Sequence, residues 1–197
     1  MSKERLDLLL EALSDANSVL ILPHNDPDPD AIASAVALRH LLAARLNVQA
    51  QIVYRGIIGR AENRALVRYL GRPLRRLKGS DWHQPVSVVL VDSQPGAGNN
   101  ALPSRFSPVL VLDHHPWRQA TTGAAFADVR PGYGATSTML TEYLQAAGVE
   151  LSPKLATALF YGIKTDTMGL IRNASPGDAA SNRRWYRTLE GYEIPVK

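Results

Sequence analysis

Acidic and histidine side chains are concentrated at places in the sequence that directly follow short apolar runs. His24 opens the acidic segment HNDPDPD after SVLILP, Asp92 follows VSVVLV, and Asp113, His114 and His115 follow PVLVL. Carboxylate and imidazole groups in this combination bind divalent cations such as manganese and magnesium, and a pair of such cations can promote cleavage of phosphate esters. We therefore ask whether the fold brings these segments together.

The first segment carries aspartates at positions 26, 28 and 30, with prolines between them. Proline disfavours helical backbone at the residue before it, so the segment is expected to be extended, with residues two apart on the same side. A divalent cation would relieve the repulsion between these carboxylates. In the alternative, the Asp-Pro steps form a turn and Asp30 caps a helix that begins at Ala31.

The other acidic positions also have structural alternatives. In the alternative, Asp92 only forms a turn or caps a helix, and Asp166, in GIKTDTMGL, only lies at the C-terminus of a helix. Adjacent histidines after a strand are less common. Asp113, His114 and His115 together offer a ligand, an acid that orients it and a donor for a substrate oxygen.

Strand and helix patterns alternate along the chain. Four apolar, β-branched runs predict strands, at Ser18–Pro23, Val48–Tyr54, Val86–Val91 and Pro108–Leu112. Helical patterns follow them, at Ala31–Arg45, Ala61–Leu70, Ala135–Ala147 and Leu155–Lys164. This alternation predicts an α/β fold with a doubly wound, mainly parallel β-sheet and helices on both faces. Ligands of such sheets bind beyond the carboxyl ends of the strands, which is where the polar segments stand.

The composition limits the classes of function. A chain of 197 residues with 45% hydrophobic residues can bury one good core. The absence of cysteine excludes disulfides and thiolate metal sites. The N-terminal residues predict an amphipathic helix rather than a signal peptide, and no apolar run is long enough for a membrane span, so we expect a soluble, cytoplasmic protein that does not associate with membranes. His40 and His83 lie outside these segments and are expected to be structural.

A basic segment lies in the middle of the chain. Between Tyr54 and Gly79 there are eight arginines and lysines and one acid. Arg60, Arg64 and Arg68 recur every four residues and therefore share one helix face. This face is either a solvated surface or a track for a nucleic-acid backbone beside an acidic metal cleft.

The four acidic segments, in this order, resemble the motifs of the DHH phosphoesterase family, in particular its RecJ-like and its nanoRNase and pAp phosphatase branches. The matching segments are HNDPDPDAIASA, VDS, LDHHP and GIKTDTMGL. The resemblance implies two divalent cations, with manganese first and magnesium as the alternative. It assigns His24 and Asp28 to one cation, Asp30, His114 and Asp166 to the other, and Asp92 to both.

The resemblance also implies roles for residues around the cations. Asp92 would bridge the two cations, which would share the attacking hydroxide. His115 would face the phosphate and Asp113 would steady the histidine pair, so Asp92, His115 and Asp113 are the expected catalytic residues. Asp26 matches no ligand position and is expected to lie behind the ligands.

The expected substrate contacts lie elsewhere in the chain. The small-residue turn with Gly134, Thr136 and Ser137 resembles one that opens a helix near the substrate. Its backbone N–H groups would be free to hold a phosphate, or its hydroxyls only cap the helix. Arg172 is a further candidate for phosphate contact, together with the basic face described above.

The expected function is hydrolysis of short oligoribonucleotides or of 3′-phosphoadenosine-type nucleotides, with short single-stranded nucleic acid or a nucleotide as partner. The alternatives are a cyclic-dinucleotide phosphodiesterase and a non-catalytic nucleotide- and metal-binding module. Pyrophosphatase is less favoured because the arginines suit a larger substrate. A homodimer is compatible with the sequence.

The resemblance divides the chain into a catalytic domain, residues 1–175, and a C-terminal helical segment or start of a linker, residues 176–197. The second, DHHA1-like domain that commonly follows in this family is not expected in this sequence. Pro29 stands where many family members have glycine, which stiffens the first segment without removing a ligand.

Overall fold

The computed structural model describes residues 3–46, 48–83 and 86–189. Its centre is a six-stranded sheet in which all neighbouring strands are parallel, in the order β3-β2-β1-β4-β5-β6. The strands are β1 Ser18–Pro23, β2 Gln49–Tyr54, β3 Leu74–Arg76, β4 Ser87–Val91, β5 Leu110–Asp113 and β6 Phe126–Val129. The predicted α/β fold class is confirmed.

In the described part of the chain, six α-helices accompany the sheet. They are α1 Lys3–Glu11, α2 Pro29–Arg45, α3 Ala61–Tyr69, α4 Thr136–Ala146, α5 Pro153–Asp166 and α6 Pro176–Leu189. The predicted helices agree with α2 to α5 within two residues at each end. Asp28, not Asp30, is the N-cap of α2, because its side chain accepts a hydrogen bond from the backbone N–H of Ala31 at 3.0 Å.

The two faces of the sheet are covered differently. On one face, Val19, Ile21 and Val89 pack into the larger core with α2, α4 and α5. The alternate residues Leu20 and Leu90 point to the other face. That face is covered by the loops after β3, β4 and β5, which include two short 3-10 helices, Gly79–Trp82 and Gln119–Gly123. Each fully buried leucine, isoleucine or valine contributes roughly 1.5–3 kcal/mol to folding.

Helix α6 packs on α4 and α5. The Trp185 side chain is buried, and its indole N–H donates a hydrogen bond to Thr141 Oγ1 at 2.8 Å. The division of the chain near residue 175 stays a prediction, and residues 190–197 of the expected C-terminal segment lie outside the described residues. Within the described part, no helix has the length and apolar character needed to cross a membrane.

Two strands were not predicted from the sequence. β3 has three residues, LRR, and β6 has the sequence FADV, so neither shows a sustained apolar run. Both lie at the edges of the sheet, where a strand needs fewer apolar residues than at the centre.

Candidate metal centre

The acidic and histidine segments converge at the carboxyl ends of three neighbouring central strands, β1, β4 and β5. His24 follows β1, Asp92 follows β4, and His114 follows β5. Asp30 lies in the first turn of α2, and Asp166 is the last residue of α5. Helices α2 and α5 pack against each other, and this contact brings the last two acids to the strand ends.

Asp92 stands between two groups of potential ligands. One of its oxygens, Oδ2, lies 3.6 Å from His24 Nε2, and that nitrogen lies 3.6 Å from Asp28 Oδ1. The other oxygen, Oδ1, lies 3.4 Å from His114 Nε2. The two oxygens of this single carboxylate therefore lie close to two different imidazoles.

The ligand atoms form two compact triads that correspond to the two cation sites implied by the resemblance. In one triad, His24, Asp28 and Asp92 have ligand atoms within 4.8 Å of one another, and in the other the same holds for Asp30, His114 and Asp166. His114 Nε2 lies 3.3 Å from Asp166 Oδ2. The structure thus brings together the six residues whose types suggested a metal site.

The backbone of Asp92 is held in the left-handed region, with φ of 56°. This conformation is uncommon for a residue other than glycine and is most accessible to aspartate and asparagine. Asp92 is buried, and its backbone N–H donates to the carbonyl of Leu112 in β5 at 2.8 Å. Such a conformation costs free energy and persists only where the surrounding structure stabilises it. Residues of this kind are often found at functional sites.

Backbone carbonyls orient two of the histidines. His24 donates from Nδ1 to the carbonyl of Asn25 at 2.7 Å, and His114 donates from Nδ1 to the carbonyl of Tyr133 at 3.1 Å. Both rings therefore present Nε2 to the carboxylates, as metal-binding histidines do. The expectation that Asp113 steadies both histidines needs correction, since His114 bonds to Tyr133 instead.

Asp113 orients His115 alone. It accepts a hydrogen bond from His115 Nδ1 at 2.8 Å, and the His115 side chain is 54% exposed. The buried Gln94 supports Asp113, because Gln94 Nε2 donates to Asp113 Oδ2 at 2.6 Å. No sequence motif indicated Gln94, and only its position two residues after Asp92 could have drawn attention to it.

The amide groups at the start of α4 are not free in the structure, which differs from the expectation for a phosphate site. The backbone N–H groups of Thr136 and Ser137 donate to the two carboxylate oxygens of Asp30 at 2.7 and 2.8 Å. The Thr136 hydroxyl donates to Asp92 Oδ1 at 2.9 Å. The turn therefore positions Asp30 and Asp92. The backbone N–H of Gly134, the third residue predicted to hold a phosphate, is also hydrogen-bonded within the protein.

The hydrogen-bond partner of the Gly134 amide is Asp178 of α6. Its buried carboxylate accepts hydrogen bonds from the backbone N–H of Gly134 at 2.8 Å, from the Thr138 hydroxyl, and from the backbone N–H and hydroxyl of Ser175, both at 2.6 Å. Asp178 lies outside every motif found in the sequence. It nevertheless holds the turn that positions Asp30.

Replacing Asp178 with alanine is expected to lower the free energy of unfolding by about 3 kcal/mol, because two backbone N–H groups and two hydroxyls would lose their shared acceptor in a buried place. Urea denaturation measures the change. The exposed Asp7 provides the control, since Asp7→Ala should change stability by less than about 0.5 kcal/mol. A similar small change for both variants would contradict the role of Asp178.

The buried acids of the two triads are held in unfavourable electrostatic surroundings. Burial raises the pKa of Asp92 to about 6, with the charge of Asp28 adding to the shift and His114 opposing it. Burial, together with the charges of Asp92 and Asp166, raises the pKa of Asp30 well above its ordinary value. A nearby positive charge would stabilise both carboxylates and lower both pKa values.

The two histidines of the triads are shifted toward their charged form. Burial acts to lower the pKa of His24, but Asp28 and Asp92 outweigh it and raise the pKa to about 9. Burial acts in the same way on His114, and Asp166 and Asp92 raise its pKa to about 10. In the absence of cations, protons on these imidazoles partly neutralise the cluster.

The side chains fit a pair of divalent cations. Among the described residues, the buried His114 Nε2 has no hydrogen-bond partner of acceptable geometry, although it lies within 3.4 Å of two carboxylates. A buried nitrogen without a partner is costly unless something else binds it. The donors are oxygen and imidazole nitrogen without sulfur, which suits manganese or magnesium.

The remaining predicted residues lie outside the two triads. Asp26 accepts a hydrogen bond from the backbone N–H of Ile57 at 2.6 Å, so it ties the loop before α3 to the loop after β1. Arg172 donates to the backbone carbonyl of Asp166 at 3.3 Å and is exposed beside it. The three arginines of the basic face, Arg60, Arg64 and Arg68, are exposed, at or within α3.

The family of the chain follows from its similarity to known proteins. Residues 18–163 match the model of the DHH family, N-terminal domain. The chain belongs to the DHH family. The matched range contains five of the six residues of the two triads, and Asp166 follows it closely. The resemblance stated from the four motifs is thereby confirmed.

Several relatives share this DHH domain. The chain is 41% identical over 161 residues to an uncharacterized protein of Methanocaldococcus jannaschii, covering 81% of this chain and 32% of that protein. It is 30% identical over 174 residues to a bifunctional oligoribonuclease and PAP phosphatase of Thermus thermophilus, covering 83% and 48%. It is 27% identical over 152 residues to a probable manganese-dependent inorganic pyrophosphatase of Bacillus licheniformis, covering 77% and 48%.

A solved structure shares the fold. An exopolyphosphatase-related protein from Bacteroides fragilis superimposes with a TM-score of 0.60 at 15% identity, over 98% of this chain and 62% of that one. The chain spans between a third and a half of the length of the curated relatives named above. The similarity therefore concerns only part of each of these proteins.

Proposed function

We propose that this DHH domain hydrolyses phosphoester bonds of nucleotides and short oligoribonucleotides with two divalent cations, manganese first among them. The observation that carries the proposal is the position of Asp92, whose two oxygens face His24 and His114 at 3.6 and 3.4 Å. One carboxylate between two ligand triads is the arrangement expected of a two-cation hydrolase.

In this proposal each triad would hold one cation, and Asp92 would be a ligand of both. The six ligands are His24, Asp28, Asp30, Asp92, His114 and Asp166. When bound, the cations supply charge neutralisation for the phosphate and a nucleophile derived from water. The alternative cation is magnesium, which the same oxygen-rich donors accept.

The residues around the triads orient the substrate. His115 is half-exposed, its Nδ1–H donates to Asp113, and this hydrogen bond to the Asp113 carboxylate raises the pKa of His115. A protonated His115 can donate from Nε2 to a phosphate oxygen and stabilise charge that develops there. Arg172 and the basic face of α3 provide further positive charge for the flanking phosphates.

The nucleotide substrate is favoured by the relative in Thermus thermophilus, which is a bifunctional oligoribonuclease and PAP phosphatase. The exposed arginines of α3 also suit a substrate with more than one phosphate. A second candidate is inorganic pyrophosphate, which is favoured by the similarity to the Bacillus licheniformis protein. Cyclic dinucleotides, or binding without turnover, are the remaining candidates.

The test is hydrolysis by the purified chain after removal of metal with a chelator and addition of manganese, magnesium or zinc. We expect cleavage of a ribodinucleotide and of a 3′-phosphorylated adenosine nucleotide with manganese, faster than cleavage of pyrophosphate or a cyclic dinucleotide. His114→Gln should abolish the activity and His83→Gln, on the exposed surface, should not. Binding of manganese without cleavage of any of these compounds would contradict the proposal.

A further inference from the structure

A cleft adjoins the exposed side of His115. Its volume is about 330 Å³, and the loops after β4 and β5 form its walls, with Ser93, Asn99, His115 and Trp117 among the lining residues. Small-molecule sites begin at about 300 Å³. The cleft is thus large enough for one planar ring system beside a phosphate at His115.

Trp117 forms one wall of the cleft and is 50% exposed. Among the described residues, no aromatic ring and no cationic side chain stacks on its indole, although six other cation–ring contacts occur in the structure. A single exposed apolar residue is ordinary on a protein surface. An unstacked indole is less ordinary when it lies two residues from His115, which in the proposed function faces the phosphate.

The backbone on both sides of Trp117 is fixed by Gln94. Its Oε1 accepts from the backbone N–H of Arg118 at 2.9 Å, and its Nε2 donates to the carbonyl of Pro116 at 3.0 Å. Gln94 is buried and also bonds to Asp113, which orients His115. The same side chain therefore sets the positions of the indole and of the imidazole, so the cleft is formed before any ligand binds.

Asn99 provides hydrogen-bond donors on the cleft wall. Its side-chain oxygen accepts from the Ser93 hydroxyl at 2.8 Å, and Ser93 Oγ in turn accepts from Asn100 Nδ2 at 2.8 Å. This chain of bonds fixes the orientation of the Asn99 amide. Its NH2 group has no partner among the described residues, and the residue is exposed. It can donate to a carbonyl or ring nitrogen at the edge of a base.

We propose that this cleft binds the nucleobase of the substrate, with the base stacked on Trp117 and its edge bonded to the Asn99 amide while the attached phosphate lies at His115. The inference rests on the proposed function, because it names the part of the substrate that the hydrolase recognises. Stacking on an aromatic side chain is tolerant of sequence, since every base has a flat face. The cleft thereby favours nucleotides over pyrophosphate, which has no base.

The first test measures binding without catalysis, by quenching of tryptophan fluorescence. We expect adenosine 5′-monophosphate to quench part of the emission, and ribose 5-phosphate, which lacks the base, to leave it unchanged. In Trp117→Phe the quenching should disappear, although Trp82 and Trp185 remain. Equal quenching in Trp117→Phe and the unaltered protein, or none in either, would overturn the proposal.

Affinity measured by calorimetry separates stacking from fluorescence effects. Trp117→Ala should raise the Kd for adenosine 5′-monophosphate about tenfold, and Trp117→Phe, which keeps a ring, should change it far less. Asn99→Ala should raise the Kd about threefold, as expected for one lost hydrogen bond. The half-exposed position of Trp117 allows both substitutions without loss of the core, which circular dichroism checks.

Kinetics distinguish failure of this proposal from failure of the proposed function. The ratio of kcat/KM for a ribodinucleotide to that for its abasic analogue should fall about tenfold in Trp117→Ala. If the ratio stays as in the unaltered protein, the base lies elsewhere although the enzyme is a phosphoesterase. If neither ester is cleaved, the hydrolase proposal fails, while the binding experiments still decide whether the cleft accepts a base.

Discussion

Replacing Asp92 with asparagine is expected to lower kcat for ribodinucleotide hydrolysis about a thousandfold. Asp92 alone among the described residues has oxygens facing both His24 and His114. Asparagine keeps the shape but loses the charge, and its NH2 group would place a donor where one of the cations needs an acceptor. Steady-state kinetics at saturating manganese measure the loss.

The substitution is suited to this position because asparagine, like aspartate, tolerates the left-handed backbone that Asp92 adopts at φ of 56°. Asp26→Asn is the matched control. Asp26 also has a left-handed backbone, at φ of 54°, and an asparagine oxygen can still accept from the N–H of Ile57. A far smaller loss is expected there. Equal losses in the two variants would argue against a specific role of Asp92.

Binding of each manganese ion is expected to tighten about tenfold for each unit of pH between 7 and 8.5. The pKa values of His24 and His114, about 9 and about 10, mean that both imidazoles carry a proton in this range when no cation is bound. An imidazole must lose that proton to bind a cation, and because each triad contains one of the two histidines, one proton leaves for each cation bound. Lower pH therefore weakens binding, and the dependence flattens above about pH 9 for the cation at His24 and above about pH 10 for the cation at His114.

Isothermal titration in two buffers with different ionisation enthalpies counts the released protons directly. The slope should persist in His83→Gln, because His83 is exposed and outside the cluster. A Kd that does not change with pH would show that the imidazoles are neutral before binding. The same protons stabilise the cation-free fold at neutral pH, and this contribution is lost as the pH rises through 9 to 10.

The central sheet and the convergence of the six potential ligands were predictable, because both depend on local patterns. Apolar runs indicated β1, β4 and β5, and polar residues directly after parallel strands must meet at one edge of the sheet. Asp166 was predictable only through the family motif, since its position depends on the packing of α5 against α2. The edge strands β3 and β6 lacked the apolar pattern that prediction requires.

The supports of the site could not be predicted, because they join residues far apart in the sequence. The bonds from Thr136 and Ser137 to Asp30 span more than one hundred positions, and the bond from Gly134 to Asp178 spans 44. The sequence of the turn with Gly134, Thr136 and Ser137 resembles a phosphate site. In the structure, however, its backbone N–H groups donate to Asp30 of α2 and Asp178 of α6. Gln94 is a further support of this kind, because its hydrogen-bond partners cannot be identified from the sequence alone.

The contact of Asp178 with Gly134 links the end of the described chain to its centre. Any fluctuation that lifts the start of α6 also releases the amide of Gly134 and the hydroxyl of Thr138, and with them the turn that bonds to Asp30. The start of α6 and the ligand cluster should therefore open as a single cooperative unit rather than as independent regions. Binding of cations at the cluster is therefore expected to increase the order of α6, and loss of order in α6 to weaken that binding.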